Sequence, residues 1–150
     1  MWSRTFISAL CTMAVAADQS DDYPRFATLM DNYQFDWEPV KVTTEDGFIL
    51  TTFHLTGNKD GPFKPTLPPV LIMHGALGDG ASWISDYTEG LPMHLQLAEA
   101  GYDVWIGNNR GSEYSQDHTT LSADQAEFWQ FSWAEMGLYD DVANIKAIKE

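Results

Sequence analysis

The sequence of 150 residues contains a single cysteine, Cys11. Cys11 lies in an N-terminal segment that is predicted below to be removed, so the mature chain would have no thiol. Disulfides, thiol nucleophiles and cysteine-based metal sites are therefore excluded as explanations of function.

Positive charge is also scarce, because 8 lysines and arginines stand against 22 acidic residues and give a formal net charge of −14. Nucleic acids and anionic membrane surfaces are bound by clustered lysine and arginine, and no such cluster occurs in this sequence. We therefore exclude nucleic acid as a partner. The simplest role of the acidic residues is to keep the protein soluble.

Several motifs with a known chemical role are missing from the sequence. There is no Walker A motif, and no lysine lies close to the glycines at 75–80, so a phosphate-binding loop is not expected. No N-x-Ser/Thr sequon for glycosylation occurs. Asp117 and His118 are too few ligands for a metal site, and we predict neither a metal nor a cofactor.

The first 17 residues have the outline of a secretory signal peptide. Arg4 gives a positive start, residues 5–17 are mostly apolar and uncharged, and Ala14-Val15-Ala16 fits the small-x-small pattern of a cleavage site. The alternative is a buried N-terminal helix. We predict a signal peptide over 1–17 and a mature domain over 18–150. The apolar segment is too short to span a bilayer, and no other segment is long enough.

The order of the remaining elements indicates an α/β fold. Two alternating strands make a hairpin around Glu45-Asp46-Gly47, because Asp-Gly permits the positive φ of a tight turn. The later strands are short and continuously apolar, which suits positions covered on both faces of a sheet. The predicted strands are 40–44, 48–56, 70–73 and 102–106, with a helix over 91–100 between the last two.

The last predicted helix begins at Ser132, because Ser132 and Glu135 form a capping box. Its apolar residues recur at helical spacing and are predicted to form a buried stripe: Leu138, Val142, Ile145 and Ile148. The sequence stops on this helix without a glycine stop or a closing strand. We therefore expect the chain to be truncated and the sheet to continue beyond Glu150. Because the strand that should pack beside this helix is missing, we also expect some exposed apolar surface along it.

Two loops follow the apolar strands, His74-Gly75-Ala76 and the stretch 107–111. In open α/β sheets, functional residues gather at the carboxyl ends of the strands. Gly75 permits a tight turn, and the backbone N–H of Ala76 is the best-placed donor to a developing oxyanion. The alternative is that the glycines at 75, 78 and 80 only make a flexible turn.

Five stretches of the sequence carry a resemblance to a known family. They are Thr44-Glu45-Asp46-Gly47-Phe48-Ile49-Leu50, His74-Gly75-Ala76-Leu77 with Ser82-Trp83, Gly101-Tyr102-Asp103-Val104-Trp105-Ile106-Gly107-Asn108-Asn109-Arg110-Gly111, Glu127-Phe128-Trp129-Gln130-Phe131-Ser132 and Glu135-Met136-Gly137-Leu138-Tyr139-Asp140. In this order and with these separations they resemble the acid lipases of the α/β-hydrolase fold, the group that contains gastric and lysosomal acid lipases. The resemblance covers most of the chain from Tyr33 onward.

The resemblance implies a secreted or lysosomal enzyme that hydrolyses carboxylic esters of lipids, such as triacylglycerols or sterol esters. It assigns one N–H of the oxyanion hole to Ala76. The family usually has a bulkier leucine at this position, so a wider acyl pocket is expected here.

The resemblance also shows what this sequence does not contain. The family's nucleophile lies on a G-x-S-x-G elbow after the last helix seen here, and its acid and histidine follow later. No G-x-S-x-G occurs, and Gly80-Ala81-Ser82-Trp83-Ile84 lacks the second glycine. We therefore predict the N-terminal part of an α/β-hydrolase fold, truncated before the nucleophile elbow and without any residue of the catalytic triad.

The other conspicuous side chains are assigned structural roles. His54, His94 (on a surface helix) and His118 are interpreted as solvated or locally bonded, since none precedes a matched serine and aspartate. His74 is predicted to support its loop. Arg110 is predicted to do the same through an internal ion pair, with Asp140 as a candidate partner, rather than to bind an anionic substrate group. The aromatic residues near the second loop are assigned to the core rather than to a lipid path: Trp105, Phe128, Trp129, Phe131 and Trp133.

Three functions remain open from the sequence. The first is the N-terminal part of a lipase-like ester hydrolase acting on a lipid ester. The second is a truncated protein that binds lipid or a partner without catalysis, and the third is another α/β-hydrolase, such as an epoxide hydrolase with an aspartate nucleophile. The sequence leaves the oligomeric state open.

The 150-residue chain is predicted to be catalytically inert, because a triad needs nucleophile, base and acid together. Hydrolysis of a p-nitrophenyl ester by the purified chain should not exceed the rate in buffer alone. Hydrolysis that rises in proportion to the concentration of the chain would contradict this.

Overall fold

The computed structural model describes residues 21–85 and 89–149. The predicted signal peptide at 1–17 lies outside these residues. None of the described helices is both long and apolar enough to cross a bilayer. The elements in chain order are helix α1 (Pro24–Tyr33), strands β1 (Phe35–Thr43), β2 (Phe48–Asn58), β3 (Gly61–Pro62) and β4 (Pro69–Met73), helices α2 (Ser82–Ser85) and α3 (Met93–Glu99), strands β5 (Asp103–Gly107) and β6 (Asp117–His118), a 3-10 helix (Ala126–Trp129), helix α4 (Trp133–Glu135), a π-helical turn (Met136–Asp140) and helix α5 (Asp141–Ile148).

The sheet combines an antiparallel hairpin with a parallel pair of strands. β1 and β2 pair antiparallel, and Gly47 in the turn between them has a φ of 98°, as the Asp-Gly pattern predicts. β5 pairs antiparallel with β2 and parallel with β4, which gives the order β1-β2-β5-β4. The predicted fold class, a hairpin start followed by parallel strands with flanking helices, is confirmed.

Strand β2 is buried on both faces, because alternate side chains enter separate apolar clusters. Phe53 packs with α1 and α3 on one face, where its ring stacks on Phe26 with the ring centroids 3.8 Å apart. Phe48 and Leu50 pack on the other face against Phe128 and the alanines of α5. Helices therefore cover both faces of the sheet, as expected for a layered α/β architecture.

Helix α1 has no counterpart in the sequence-based prediction. Pro24 lies in its first turn, where the fixed φ of proline suits a helix and the missing N–H is not needed. Gln34 ends the helix in the left-handed conformation, with a φ of 61°. Between these limits, Phe26 and Met30 lie one turn apart and are fully buried. The helix is anchored by that short apolar face.

Strand β4 differs from the prediction in its burial. Its residues 70–73 are half-buried rather than covered on both faces. Among the described residues, β5 is the only strand that pairs with it. The parallel register, with Met73 opposite Gly107, brings the carboxyl ends of the two strands together as predicted.

The predicted capping box at Ser132 is present, but the predicted buried stripe after it is wrong. The Ser132 hydroxyl accepts a hydrogen bond from the Ala134 N–H, and the Glu135 carboxylate accepts one from the Ser132 N–H. Three of the four apolar side chains of that stripe are exposed, in line with the apolar surface expected along this helix, and Ile148 is half-buried. Leu138 is 64% exposed, Val142 40% and Ile145 45%.

Two buried polar residues set the orientation of this helix instead. Asp140 binds Arg110, and Asn144, one turn later, is hydrogen-bonded to Thr52 of β2. Both side chains are fully buried. Since residues four apart share a helix face, these contacts turn Ala143 and Ala147 toward the sheet and leave the larger apolar residues outside.

The prediction of a surface position for His94 is wrong. Its side chain on α3 is 2% exposed, and its Nε2 has no hydrogen-bond partner among the described residues. Burial disfavours the charged imidazolium and lowers the pKa of His94 to about 4.

His94 is predicted to make the fold sensitive to acid. The unfolded chain protonates this residue below its ordinary pKa of 6.5, whereas the folded chain resists protonation until about pH 4. Its contribution to stability is therefore complete above pH 6.5 and is lost as the pH falls toward 4. Relative to His94→Gln, the free energy of unfolding should decline by up to about 3 kcal/mol across this window. Urea titrations at neutral and mildly acidic pH measure the difference, and a difference that is independent of pH would contradict the prediction.

Candidate functional site

The candidate site lies where β4 and β5 end at the same edge of the sheet. His74 follows β4 and Asn108 follows β5, so the two strand-end loops lie side by side. Between them opens a cleft of about 970 Å³. It is lined by residues 73–79 and 109–113 of these loops and by side chains from 129–141. This is the position at which open α/β sheets carry their functional residues.

His74 joins the two loops through one ring nitrogen and is held within its own loop through the other. Nε2 accepts a hydrogen bond from the Asn109 backbone N–H at 3.0 Å, and Nδ1 lies 2.9 Å from the Gly75 carbonyl oxygen. A ring that accepts at Nε2 and donates at Nδ1 is neutral and present as one tautomer. Neither nitrogen is left to transfer a proton, and both contacts hold the His74 ring against backbone atoms of the loops.

A tight turn forms the tip of the first loop. The Gly78 N–H donates to the Gly75 carbonyl oxygen at 3.2 Å, so Ala76 and Leu77 occupy the two central positions. Leu77 has a φ of 59°, a left-handed conformation that glycine or asparagine usually adopts. Ala76 is exposed at the cleft, and none of the hydrogen bonds between described residues uses its N–H. That N–H is therefore available to a ligand.

Asn108 anchors the far end of the same loop, which sequence reasoning did not detect. Its Oδ1 accepts from the Gly80 N–H at 2.7 Å and its Nδ2 donates to the Thr51 carbonyl oxygen at 2.8 Å. Asn108 is fully buried. A Cβ at Gly80 would lie 2.8 Å from the Ile106 side chain, so only glycine lets the loop approach so closely.

Asp79 provides a second anchor for the loop. Its Oδ2 is 2.7 Å from Nη1 of Arg25 on α1, and its Oδ1 accepts from the Ser82 N–H at 2.9 Å. The Ser82 hydroxyl is bound to the same Oδ1 at 3.2 Å. Ser82 thus belongs to the first turn of α2 and is not arranged as a nucleophile beside a base.

Arg110 is the most extensively bonded side chain of the site, and the ion pair proposed with Asp140 is present. Its Nη2 lies 2.7 Å from Oδ1 of Asp140, and the backbone N–H of Arg110 donates to Oδ2 of the same carboxylate at 2.9 Å. Its Nη1 and Nη2 donate to Asp46 at 2.6 and 2.9 Å. The guanidinium also lies 4.0 Å from the ring centroid of Phe48. Arg110 therefore ties the second loop to the hairpin turn and to the last helix.

The two carboxylates respond differently to Arg110. Burial opposes ionisation of Asp46, but hydrogen bonds from Arg110 and Thr44 outweigh it and lower the pKa of Asp46. Asp140 is fully buried, and desolvation raises its pKa although Arg110 offsets part of the effect. The arginine stays charged and is bound by both groups.

The assignment of the aromatic residues to the core is correct for Phe128 and wrong for two tryptophans. Phe128 is fully buried, whereas Trp129 is 46% exposed and Trp133 is 71% exposed. Both tryptophans line the cleft together with Phe131. Gly111 makes room for this wall, because a Cβ there would lie 2.8 Å from Phe131 and 2.9 Å from Trp129.

The remaining histidines are locally bonded, as predicted for His54 and His118. The His54 ring stacks on Trp105 with centroids 3.9 Å apart and its Nε2 lies 2.8 Å from Asp103. His118 Nε2 is 3.1 Å from the Asp46 carbonyl oxygen. Neither residue lines the cleft.

The chain matches two family models. Residues 26–87 match the model described as a partial alpha/beta-hydrolase lipase region, and residues 68–149 match the model described as alpha/beta hydrolase fold. The second match covers more than half of the chain and includes both strand-end loops.

Curated relatives of the chain are lipases. It is 44% identical to lipase member M of Mus musculus over 74% of this chain and 26% of that protein. It is 40% identical to the lysosomal acid lipase/cholesteryl ester hydrolase of Homo sapiens over 80% of this chain and 30% of that protein. It is 34% identical to the gastric triacylglycerol lipase of Bos taurus over 89% of this chain and 34% of that protein. The chain thus spans about a quarter to a third of the length of these relatives.

Removing the charge of Asp140 is predicted to destabilise the fold strongly. Asp140→Asn would leave the buried Arg110 with one carboxylate, and breaking one partner of a buried ion pair costs about 3–5 kcal/mol. Asp60→Asn is the matched control, because its pair with Lys59 at 3.4 Å is exposed and should contribute almost nothing. Urea denaturation of both variants measures the free energies of unfolding. Equal stabilities for the two variants would contradict the assignment.

Proposed function

The chain belongs to the alpha/beta hydrolase fold family, and on this premise we propose that it supplies the oxyanion-hole side of a secreted or lysosomal hydrolase of lipid esters. The observation that carries the proposal is the turn at Ala76. Its N–H has no described acceptor, and it lies in the lining of a cleft of about 970 Å³ beside both strand ends.

A backbone N–H stabilises an oxyanion only if it is held in place before the charge develops. Here the turn is fixed on both sides. His74 ties its start to the second loop, and Asn108 ties its end to β2. In the proposed reaction, an ester carbonyl oxygen becomes negatively charged on attack and accepts the Ala76 N–H. Arg110 supports this arrangement by fixing the neighbouring loop, and Gly75 supports it through its carbonyl oxygen, which is bound by the His74 ring and by the Gly78 N–H.

The substrate class follows from the lining and from the relatives. The cleft presents aromatic and aliphatic side chains, which suit a hydrocarbon chain. The names of two relatives, a cholesteryl ester hydrolase and a triacylglycerol lipase, refer to neutral lipid esters. We assign the same class to this protein, with a signal peptide at 1–17 and a role in lipid degradation.

Within the 150 residues there is no G-x-S-x-G elbow. In the proposed enzyme, the serine, its histidine and its acid come from sequence that follows Glu150. A second candidate is a protein that binds lipid without catalysis, because the apolar lining of the cleft suits that role as well. Reading the coding frame beyond Glu150 separates them. A G-x-S-x-G supports ester hydrolysis, a stop codon supports lipid binding alone, and an aspartate at the elbow supports an epoxide hydrolase.

The oxyanion role of Ala76 is tested by removing its N–H. Ala76 is the second residue of the Gly75–Gly78 turn, a position that tolerates proline. In a protein that includes a serine elbow, Ala76→Pro should lower kcat for a long-chain ester by about 100- to 1000-fold.

Ala76→Ser is the matched control, because it keeps the N–H and nearly the same size, and its kcat should stay within a few-fold of the parent. Circular dichroism checks that both variants fold. A folded Ala76→Pro variant with unchanged kcat would remove the basis of the proposal.

A further inference from the structure

The walls of the cleft present large apolar side chains to the space between the two loops. Leu77, Trp129 and Trp133 are all exposed, and all three line the cleft. Large exposed apolar groups are usual when scattered, but in one concavity they indicate a binding surface. Leu77 keeps its exposed position in spite of a left-handed backbone, which is unfavourable for a branched side chain.

Two of the three aromatic residues in the wall, Trp129 and Phe131, offer no hydrogen bond to a ligand. The indole N–H of Trp129 donates to the Ala123 carbonyl oxygen at 2.7 Å and is therefore engaged within the protein. Phe131 packs its ring 5.8 Å from the guanidinium of Arg110 and has no polar atom. These side chains can contribute apolar contact, and the Ala76 N–H is the polar group that the turn adds.

The charges that line the cleft are unbalanced. Arg110 is in the lining, but its side chain is 1% exposed and is bound by Asp46 and Asp140. The other ionisable groups of the lining, apart from the neutral His74, are the carboxylates of Asp79, Glu113 and Asp141.

Among the described residues, one cation pairs with two of these three carboxylates. Arg25 is shared between Asp79 at 2.7 Å and Glu113 at 3.4 Å. Asp141 has no ion-pair partner among the described residues. A ligand with a carboxylate would therefore meet an excess of negative charge and no unpaired cation in the described lining.

We infer that the cleft holds the hydrocarbon chain of an uncharged ester and rejects the same chain when it ends in a free carboxylate. The inference rests on the proposed function for its meaning. Hydrolysis turns ester and water into a carboxylate, an alcohol and a proton. The reaction would therefore convert a ligand that fits the cleft into one that the acidic lining repels. The apolar wall binds the hydrocarbon part of the ligand, and the carboxylates of the lining distinguish substrate from product.

The inference is tested by measuring ligand binding to the 150-residue protein itself, because binding requires no nucleophile. Isothermal titration calorimetry compares methyl octanoate with octanoate at neutral pH and low ionic strength. The ester should bind roughly fivefold more tightly than the carboxylate, since like charges at this range repel in a partly solvated site. Added salt should reduce that ratio, because it screens the repulsion.

Two sets of variants separate the apolar and the charged contributions. Trp133→Ala should weaken the binding of both ligands roughly three- to tenfold through lost apolar contact. Leu138→Ala, at a similarly exposed residue outside the cleft lining, should change neither. The pair Glu113→Gln and Asp141→Asn should strengthen octanoate binding and leave the ester unchanged. Glu99→Gln, an exposed carboxylate at the end of α3 and outside the lining, should have no effect on either.

Equal affinity for the two ligands, or a preference that survives both high salt and the neutralised pair, would overturn the inference. Its failure is distinguishable from failure of the proposed function. If the protein prefers the ester but is not part of a serine hydrolase, the inference stands and the proposed function fails. If the protein is a hydrolase whose cleft binds both ligands equally, the proposed function stands and the inference fails.

Discussion

The guanidinium of Arg110 is bound at once by Asp46 from the hairpin turn and by Asp140 from the last helix, and the geometry of the site depends on this contact. The loop after β5 is fixed because its arginine is fixed. Its Asn109 N–H then holds the ring of His74. Through that ring the position of the Ala76 turn depends on a carboxylate more than sixty residues further along the chain. A continuous set of hydrogen bonds thus runs from the interior of the fold to the exposed backbone donor.

Local patterns in the sequence predicted the local features of this arrangement. The Asp-Gly turn, the parallel strand ends and the capping box at Ser132 are all present. The pairing of Arg110 with Asp140 was also predicted, because acidic residues far outnumber basic ones in this sequence and an internal arginine is expected to pair with one of them. The contact with Asp46 was not predicted, because the tight turn of the hairpin already explains an aspartate before Gly47. A turn motif does not indicate which distant residue will bind the aspartate side chain.

Burial was predicted least well, because it depends on neighbours that spacing does not reveal. The last helix has an apolar stripe at helical spacing and, one face away, a row of alanines with Asp140 and Asn144. Pattern alone favours the stripe as the inner face. The structure places the polar row inside because Arg110 and Thr52 satisfy it, and an unsatisfied arginine in the interior would cost more than an exposed leucine. The exposed tryptophans and the buried His94 were misjudged for the same reason.

The π-helical turn at Met136–Asp140 lies between two parts of the last helix that make different contacts, one with the cleft and one with the sheet. Its defining bond runs from the Asp141 N–H back to the Met136 carbonyl oxygen, so the turn holds one residue more than an α-helical turn. Before it, Trp133 lies at the cleft; after it, Asn144 lies on the sheet. Wound as a plain α-helix, the same residues would rotate one end by about 100° relative to the other. A polypeptide shortened by one residue within this turn would keep both ends in place, because the shorter segment could wind as a plain α-helix without turning Trp133 away from the cleft or Asn144 away from the sheet.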